Sequence, residues 1–541
     1  PFAMDPVVYD FAINDHGTIA TLHDDGRMPR GYHSLVIPDL LRRNINTLSP
    51  MLRRELERVG DACRTETTES DLALQILDRI LPGSATDRKT HQRLDDLLKQ
   101  NGFDATSHEK LREDLQSGRL GLSQNRLSAT VRIEDVTADD VIDARHAADA
   151  DIVALGTQSI EQGEVAVVTL AAGVGSRWTQ GAGVVKALNP FCRMQGKFRT
   201  FLDVHLAKTR RSSQKFQCRI PHVITSGYLT DEPIRHELNS RSDSEHVLVS
   251  RGAAVGLRMV PTMRDLHFAW EEMSHQLLDE QQEKMRSSVR AALTNWARSC
   301  GEASDYTDNL PMQCLHPVGH WYEIPGMMLN GTLSQLLHQQ PQLKYLMLHN
   351  IDTLGASVEP AILAHHIRSQ ADLSFEVISR RLEDRGGGLA RVDGRVRLVE
   401  GLAMPREEDE FQLSYYNSLT TWITIDRLLQ LFGLTRDDLT KTERVAEAVR
   451  SLGSRMPTYI TLKDVKKRWG RGQEDVFPVS QFEKLWGDMT TLPDARCSFL
   501  VVSTLRGQQL KDPAQLDGWM RDGSAAFVES LCHFDSQELR P

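Results

Sequence analysis

A run of strand length, Glu164-Val-Ala-Val-Val-Thr-Leu170, gives way within three residues to glycine in Ala171-Ala172-Gly173-Val174-Gly175-Ser176. Its β-branched and small apolar residues suit a strand covered on both faces, as in α/β sheets flanked by helices. A buried strand ending in Gly-x-Gly presents backbone N–H groups with no side chain in the way, which suits a phosphate. Spacing excludes two well-known phosphate loops. Counted from Gly173, the third glycine of the dinucleotide fingerprint would stand where Trp178 is. The NTPase loop needs Gly-Lys-Ser/Thr, whereas Lys186 lies between Val185 and Ala187. A glycine-rich strand-to-helix turn without any ligand accounts for the same residues, so the rest of the chain must decide.

At 541 residues the chain is long enough for two or three domains. Its net charge of −10 argues against a nonspecific nucleic-acid binder. Seven cysteines without a Cys-x-x-Cys pair suggest a reducing, cytoplasmic setting and no zinc site. No apolar run approaches the roughly 20 residues of a membrane-spanning helix, and Pro1-Phe-Ala-Met4 lacks the regions of a signal peptide. Residues 1–160 read as mainly helical. Ser49-Pro50 opens a stripe of Leu52, Leu56 and Val59; Leu72, Ile76, Leu77 and Ile80 form another, stopped by Pro82-Gly83. Leu94, Leu97 and Leu98 form a third ending at Asn101-Gly102, and Thr137 with Asp140 starts a short helix. Residues 265–300 carry Leu266, Trp270, Met273, Leu277, Met285, Val289, Leu293 and Trp296 at near-heptad spacing, an inserted arm that packs on the sheet or on another subunit.

Later segments repeat the strand-to-glycine pattern. Pro221-His-Val-Ile-Thr-Ser226-Gly227 reads as a second buried strand. Lys344-Tyr-Leu-Met-Leu-His-Asn350-Ile-Asp352-Thr-Leu-Gly-Ala356 reads as a third, with Asn350 and Asp352 at its carboxyl end, where open α/β sheets bind ligands. One aspartate beside a triphosphate suits Mg²⁺, which needs one or two carboxylates plus phosphate oxygens and water.

Leu170-Ala-Ala-Gly173-Val-Gly175-Ser176-Arg177, followed by Lys186, resembles the nucleotide-sugar pyrophosphorylases. Further segments narrow the likeness to the eukaryotic-type UTP–sugar-1-phosphate uridylyltransferases. These are Thr225-Ser226-Gly227, His316-Pro-Val-Gly319-His320, Asn350-Ile-Asp352-Thr-Leu-Gly-Ala, Asp384-Arg-Gly386-Gly387-Gly-Leu389, Glu400 and Tyr416-Asn417-Ser-Leu-Thr-Thr-Trp422. The likeness spans roughly 165–425. It implies an α/β, Rossmann-like mixed-sheet nucleotidyltransferase core of the GT-A-like kind. The implied layout is a helical N-terminal region (1–160), a catalytic domain (161–435, with the 265–300 insertion) and a small, mostly helical C-terminal region (436–541). It also implies UTP, a sugar 1-phosphate (glucose 1-phosphate by default, an N-acetylhexosamine 1-phosphate otherwise) and Mg²⁺, with no nucleic-acid or membrane partner and no indication of oligomeric state.

By the same resemblance Leu170, Ala171, Ala172, Gly173, Gly175, Ser176, Gly319 and His320 would hold the nucleotide. Arg177, Lys186 and Asp352 would act on the phosphates, Asp352 holding the metal. Asn350, Gly386, Gly387, Glu400 and Asn417 would surround the sugar. The chain departs from the family at Trp178, Val185, Trp321, Thr353, Thr420 and Ser503. Trp321 replaces a glycine of the base pocket, and Ser503 a phosphate-binding lysine for which Lys463, Lys466 or Lys467 could substitute. Gln473-Glu474 resembles the family's Gln-Leu-Glu. These departures motivate one rival reading, a sugar-nucleotide binder that has lost catalysis. A nicotinamide-dependent oxidoreductase is disfavoured by Trp178.

Overall fold

The computed structural model describes residues 88–534, apart from 180–184, 240, 242–246, 273–279, 383 and 471–472. The stripes expected at 52–59 and 72–80 lie outside the described residues, as do Met273 and Leu277 and the side chains of Gln473 and Glu474. Residues 81–541 form one compact unit. At its centre stand eight strands: β1 (Ile142–Asp143), β2 (Val165–Leu170), β3 (His222–Ser226), β4 (Val247–Arg251), β5 (Tyr345–Asn350), β6 (Leu373–Ser379), β7 (Tyr415–Thr424) and β8 (Cys497–Val501). Their spatial order is β1-β8-β6-β7-β5-β2-β3-β4, and β7 alone runs antiparallel to its neighbours.

Burial on both faces explains the sequence of β2. Ala166, Val168 and Leu170 enter the core shared with the helices Glu323–Leu329 and Thr332–Gln339, while Val165 and Val167 enter the opposite core with Ile160, Ile362 and Leu363. Every residue of the strand is buried, so the period-2 alternation of a half-exposed strand is absent, as the uniform apolar run required. The Thr200–Asp203 capping box starts the helix Phe201–Lys215, which covers the same side as Ile224 and Leu354.

The sheet reaches beyond the expected domain boundaries. β1 lies within 1–160 and β8 within 436–541, yet they pair with each other, and β8 pairs with β6. The C-terminal part is also not mostly helical, because Tyr459–Gly470 and Gln473–Glu483 form a long antiparallel hairpin. Helices Met263–Glu272 and Glu280–Cys300 pack on that hairpin, with Trp296 against Phe477 at 4.8 Å between ring centroids. The arm had been expected on the sheet or on another subunit. The apolar stripe is real; its partner lies some 180 residues downstream, beyond any local pattern. Thr137 and Asp140 form a reciprocal capping box around a single 3₁₀ turn, as their spacing predicts. One irregularity touches the site: opposite the Glu376–Val377 junction of β6, Ser418 and Leu419 of β7 fall out of register, with Leu419 at φ +61°.

Candidate nucleotidyl-transfer site

β2 and β5 lie side by side in parallel, with Leu170 opposite Asn350, so their carboxyl ends open at the same edge. Beyond β2 the chain turns through Gly173 and Gly175. Gly175 has φ +71°, and a Cβ there would lie 2.4 Å from Lys186 Cβ, so only glycine fits. The Lys186 backbone N–H donates to Val174 O at 2.9 Å, tying the lysine to the turn. Its ammonium donates to Asp352 Oδ2 at 2.9 Å and to Leu510 O at 3.0 Å. The glycine turn of the first strand and the acid of the third therefore meet at Lys186. Both side chains of this pair are over nine-tenths buried. Burial lowers the Lys186 pKa against the opposing pull of Asp352. Asp352 Oδ1 is buried with no protein partner.

Trp178 does not enter this cleft as an obstruction. It packs edge-on to Phe191 and Phe201, and the Lys186 ammonium lies 5.8 Å from its ring and 5.0 Å from that of Phe201. Arg177 is exposed on the short helix Ser176–Thr179, close enough for its charge to act on Lys186. Leu170 and Ala171 are buried and supply backbone, and Thr230 Oγ1 donates to Ala171 O at 3.1 Å. The Ser176 side chain lies outside the described set.

His316–His320 approaches from the other side of the cleft. Gly319, at φ +92°, passes so close to Lys484 that a Cβ would meet its carbonyl at 2.3 Å. His320 Nδ1 accepts from Trp486 N at 3.0 Å. Burial pushes the His320 pKa down to about 4, helped by Lys511 and opposed by Asp352. Trp321 proves to be a core residue. It is fully buried, stacks on Phe432 and donates to Met489 Sδ at 3.2 Å, so it leaves the base side of the cleft unfilled.

Of the residues assigned to the sugar, Asn350 ends β5, Asn417 lies on the neighbouring β7, and Gly386, Gly387 and Glu400 flank the hairpin of Gly388–Val392 and Arg395–Val399. Glu400 and Asn417 both face Gly487: a Cβ there would lie 2.4 Å from Glu400 Oε1 and 3.5 Å from Asn417 Nδ2. Glu400 Oε1 is buried without a partner. Burial and the neighbouring Asp488 raise the Glu400 pKa, and Asp488 is itself raised by burial. Gly386 and Gly387 abut Gly401, but both of their N–H groups donate to Glu410 Oε2 at 2.9 Å. Asn350 is turned on its own backbone, its Oδ1 accepting from Ile351 N at 2.9 Å.

The substitutes for the missing lysine fail. Lys463 and Lys466 lie exposed on the hairpin, and Lys467 pairs with Asp308 at 2.6 Å. Sequence reasoning also missed four residues of the cleft: Glu410, Asp488, Gly487 and Lys511. Each reaches it through contacts distant along the chain, and no local motif marks any of them. A separate cavity of about 590 Å³, lined by Phe103, His108, Tyr322, Arg450 and Lys484, includes none of the residues assigned to substrate.

Residues 303–448 match the family model described as UTP–glucose-1-phosphate uridylyltransferase. Over that segment the chain is similar to these uridylyltransferases. The uridylyltransferase of Musa acuminata is 24% identical over 276 residues, covering 50% of this chain and 49% of that protein. That of Saccharomyces cerevisiae is 32% identical over 127 residues, 22% of this chain and 25% of its own length. The chain thus spans half or less of the length of the curated uridylyltransferases it matches. A UDP-glucose pyrophosphorylase mutant from Leishmania major, solved with UDP-glucose, superposes with a TM-score of 0.51 at 18% identity, covering 81% of this chain and 78% of that one. At that identity the likeness establishes the mixed-sheet α/β fold. The matched segment holds His320, Asp352, Gly386, Glu400 and Asn417. The glycine turn and Lys186 lie outside it and join the uridylyltransferase-like segment through the Lys186–Asp352 contact.

Proposed function

We propose that the protein is a UTP–sugar-1-phosphate uridylyltransferase, with glucose 1-phosphate as the sugar substrate. The observation that carries this reading is the meeting of Gly175, Lys186 and Asp352 at the shared carboxyl edge of two parallel strands. A phosphate oxygen of the sugar phosphate attacks the α-phosphorus of UTP in line. The α–β phosphoanhydride bond breaks, and pyrophosphate departs with its electron pair. The attacking oxygen is already anionic at neutral pH, so no general base is needed. Positioning and charge stabilisation supply most of the acceleration in such transfers.

In this reading the backbone at Gly173 and Gly175 cradles the triphosphate, Lys186 faces the phosphates flanking the reacting phosphorus, and Arg177 meets the departing pyrophosphate. Glu400 and Asn417 bind sugar hydroxyls; an uncharged Glu400 would both donate to and accept from them. Mg²⁺ fits the donor set. Among the described residues no three metal-ligating side chains cluster, yet one buried carboxylate oxygen, Asp352 Oδ1, lacks a partner. That suits an ion arriving on a nucleotide, whose contribution would be to neutralise phosphate charge. No described helix is long and apolar enough to cross a membrane. The six described cysteines are free thiols, which favours a cytoplasmic setting.

The test is pyrophosphate release from UTP with a panel of sugar 1-phosphates. Release with glucose 1-phosphate is expected. Stabilisation by UDP-glucose without release from any member of the panel would instead favour the binding-only reading.

A further inference from the structure

The strap that follows β8 is held more firmly than a surface loop requires. Arg506 donates two buried hydrogen bonds to the Glu376 carboxylate, at 2.8 and 2.7 Å. Gly355 accepts the strap so closely that a Cβ would meet Leu505 O at 2.0 Å. Gln509 Nε2 donates to Ser418 O at 2.9 Å and Leu510 N to Asp352 O at 2.9 Å, while Leu510 O receives the Lys186 ammonium. This sequence of contacts delivers Lys511 to the space between Asp352 and the Glu400 side of the cleft. Its ammonium donates to Tyr416 Oη at 2.5 Å and lies 5.2 Å from that ring. Among the described residues no carboxylate lies within ion-pair distance of it, although the charges of Asp352, Glu400, Lys186 and His320 all interact with it.

A half-buried ammonium fixed by a phenol rather than by a carboxylate has charge left to give. Burial alone would lower its pKa; Tyr416, Asp352 and Glu400 outweigh that and raise it, so it is a cation at neutral pH. Lys186, by contrast, is already neutralised by Asp352. The Tyr416 hydroxyl is itself oriented, its one proton facing two acceptors, Arg385 O at 3.1 Å and Gln509 Oε1 at 3.2 Å. Ser503, exposed at the start of the strap, offers no cation.

We propose that Lys511, held in place by Tyr416, binds the phosphate of the incoming sugar 1-phosphate, which becomes the sugar-bearing phosphate of the nucleotide product. The proposal rests on the transferase reading for its substrate and on the strap geometry for the residue. A primary ammonium between the sugar residues and the Lys186–Asp352 pair suits a phosphate monoester, whose two charges exceed what Lys186 has available.

The experiment measures calorimetric affinity for UTP and UDP-glucose, together with steady-state pyrophosphate release, for the wild type, Lys511→Met, Lys511→Arg and Tyr416→Phe. Lys511→Met should keep UTP affinity within threefold. It should lose at least tenfold in UDP-glucose affinity and at least 100-fold in kcat/KM for glucose 1-phosphate. Lys511→Arg should recover part of that loss, and Tyr416→Phe should show a smaller loss in the same direction. Should Lys511→Met not fold, Lys511→Gln is judged by the same thresholds. UDP-glucose affinity within threefold of wild type in the folded Met or Gln variant overturns the role of Lys511, even if the wild type is an active transferase. Wild type that binds UDP-glucose but releases no pyrophosphate defeats the transferase reading while the affinity ratio still decides Lys511. Wild type that binds neither nucleotide overturns both.

Discussion

Replacing Lys186 by methionine probes the contact on which the site depends. Methionine keeps most of the stem between the rings of Trp178 and Phe201 and removes only the ammonium. Asp352 then loses the partner of Oδ2 while Oδ1 already has none, leaving a buried carboxylate with neither oxygen satisfied by protein. Breaking a buried pair in this way costs about 3–5 kcal/mol. That is a large share of the 5–15 kcal/mol typical of a domain. Activity should fall separately, by about 2.7–4 kcal/mol of transition-state stabilisation, or roughly 10²–10³ in kcat. Urea unfolding reads the first loss and pyrophosphate release the second. Adding Asp352→Asn removes the stranded charge and should restore most of the stability while leaving the enzyme inactive. If Lys186→Met is as stable as wild type to within about 1 kcal/mol and turns over within tenfold of it, the pair is neither a structural nor a catalytic centre.

Gly175→Ala should cost on the order of 1–3 kcal/mol in unfolding free energy, because the position demands positive φ, and should depress turnover by displacing Lys186; normal stability with normal kcat would contradict this. Trp321→Ala should destabilise by about 3–5 kcal/mol through a core cavity while leaving the KM for UTP unchanged, and a KM raised tenfold would return the residue to the base pocket. Glu400 and Asp488 have folded pKa values above those of free carboxyls, so the folded state holds their protons more tightly than the unfolded chain. Their contribution is complete below the ordinary carboxyl range and is lost as pH rises through neutrality. Glu400→Gln should therefore gain stability over wild type by about 1 kcal/mol or more at pH 9 relative to pH 5; parallel urea curves at the two pH values would refute the buried-acid assignment.

Local patterns carried much of the fold and of the phosphate half of the site. β2 declares itself because every residue in it is apolar or small, and Gly175 because no other residue tolerates its backbone. Asp352 follows from its place at a strand end. Glu400 and Asn417 come together opposite Gly487, but their surroundings do not show in the sequence. Glu410 blocks the Gly386 and Gly387 amides from 24 and 23 residues away. Lys511 meets Tyr416 across 95 residues. β8 enters the central sheet from a region that reads as peripheral, and the helical arm finds a hairpin no periodicity announces. Side chains that act through distant partners leave no spacing to read. Trp321 teaches the reverse lesson: a residue that resemblance aligns with a binding position lies fully buried in the core.

The two residues out of step in β7 divide one strand into two segments of different register. Downstream, Trp422 and Ile423 are locked into the central cores. Upstream, Tyr416 shares a core with Trp422 while its hydroxyl meets Lys511, and Asn417 faces Gly487. Because the phase is reset between them, a single strand serves as packed core along its length and as a wall of the cleft at its upstream end, so a change at Tyr416 is felt in both places.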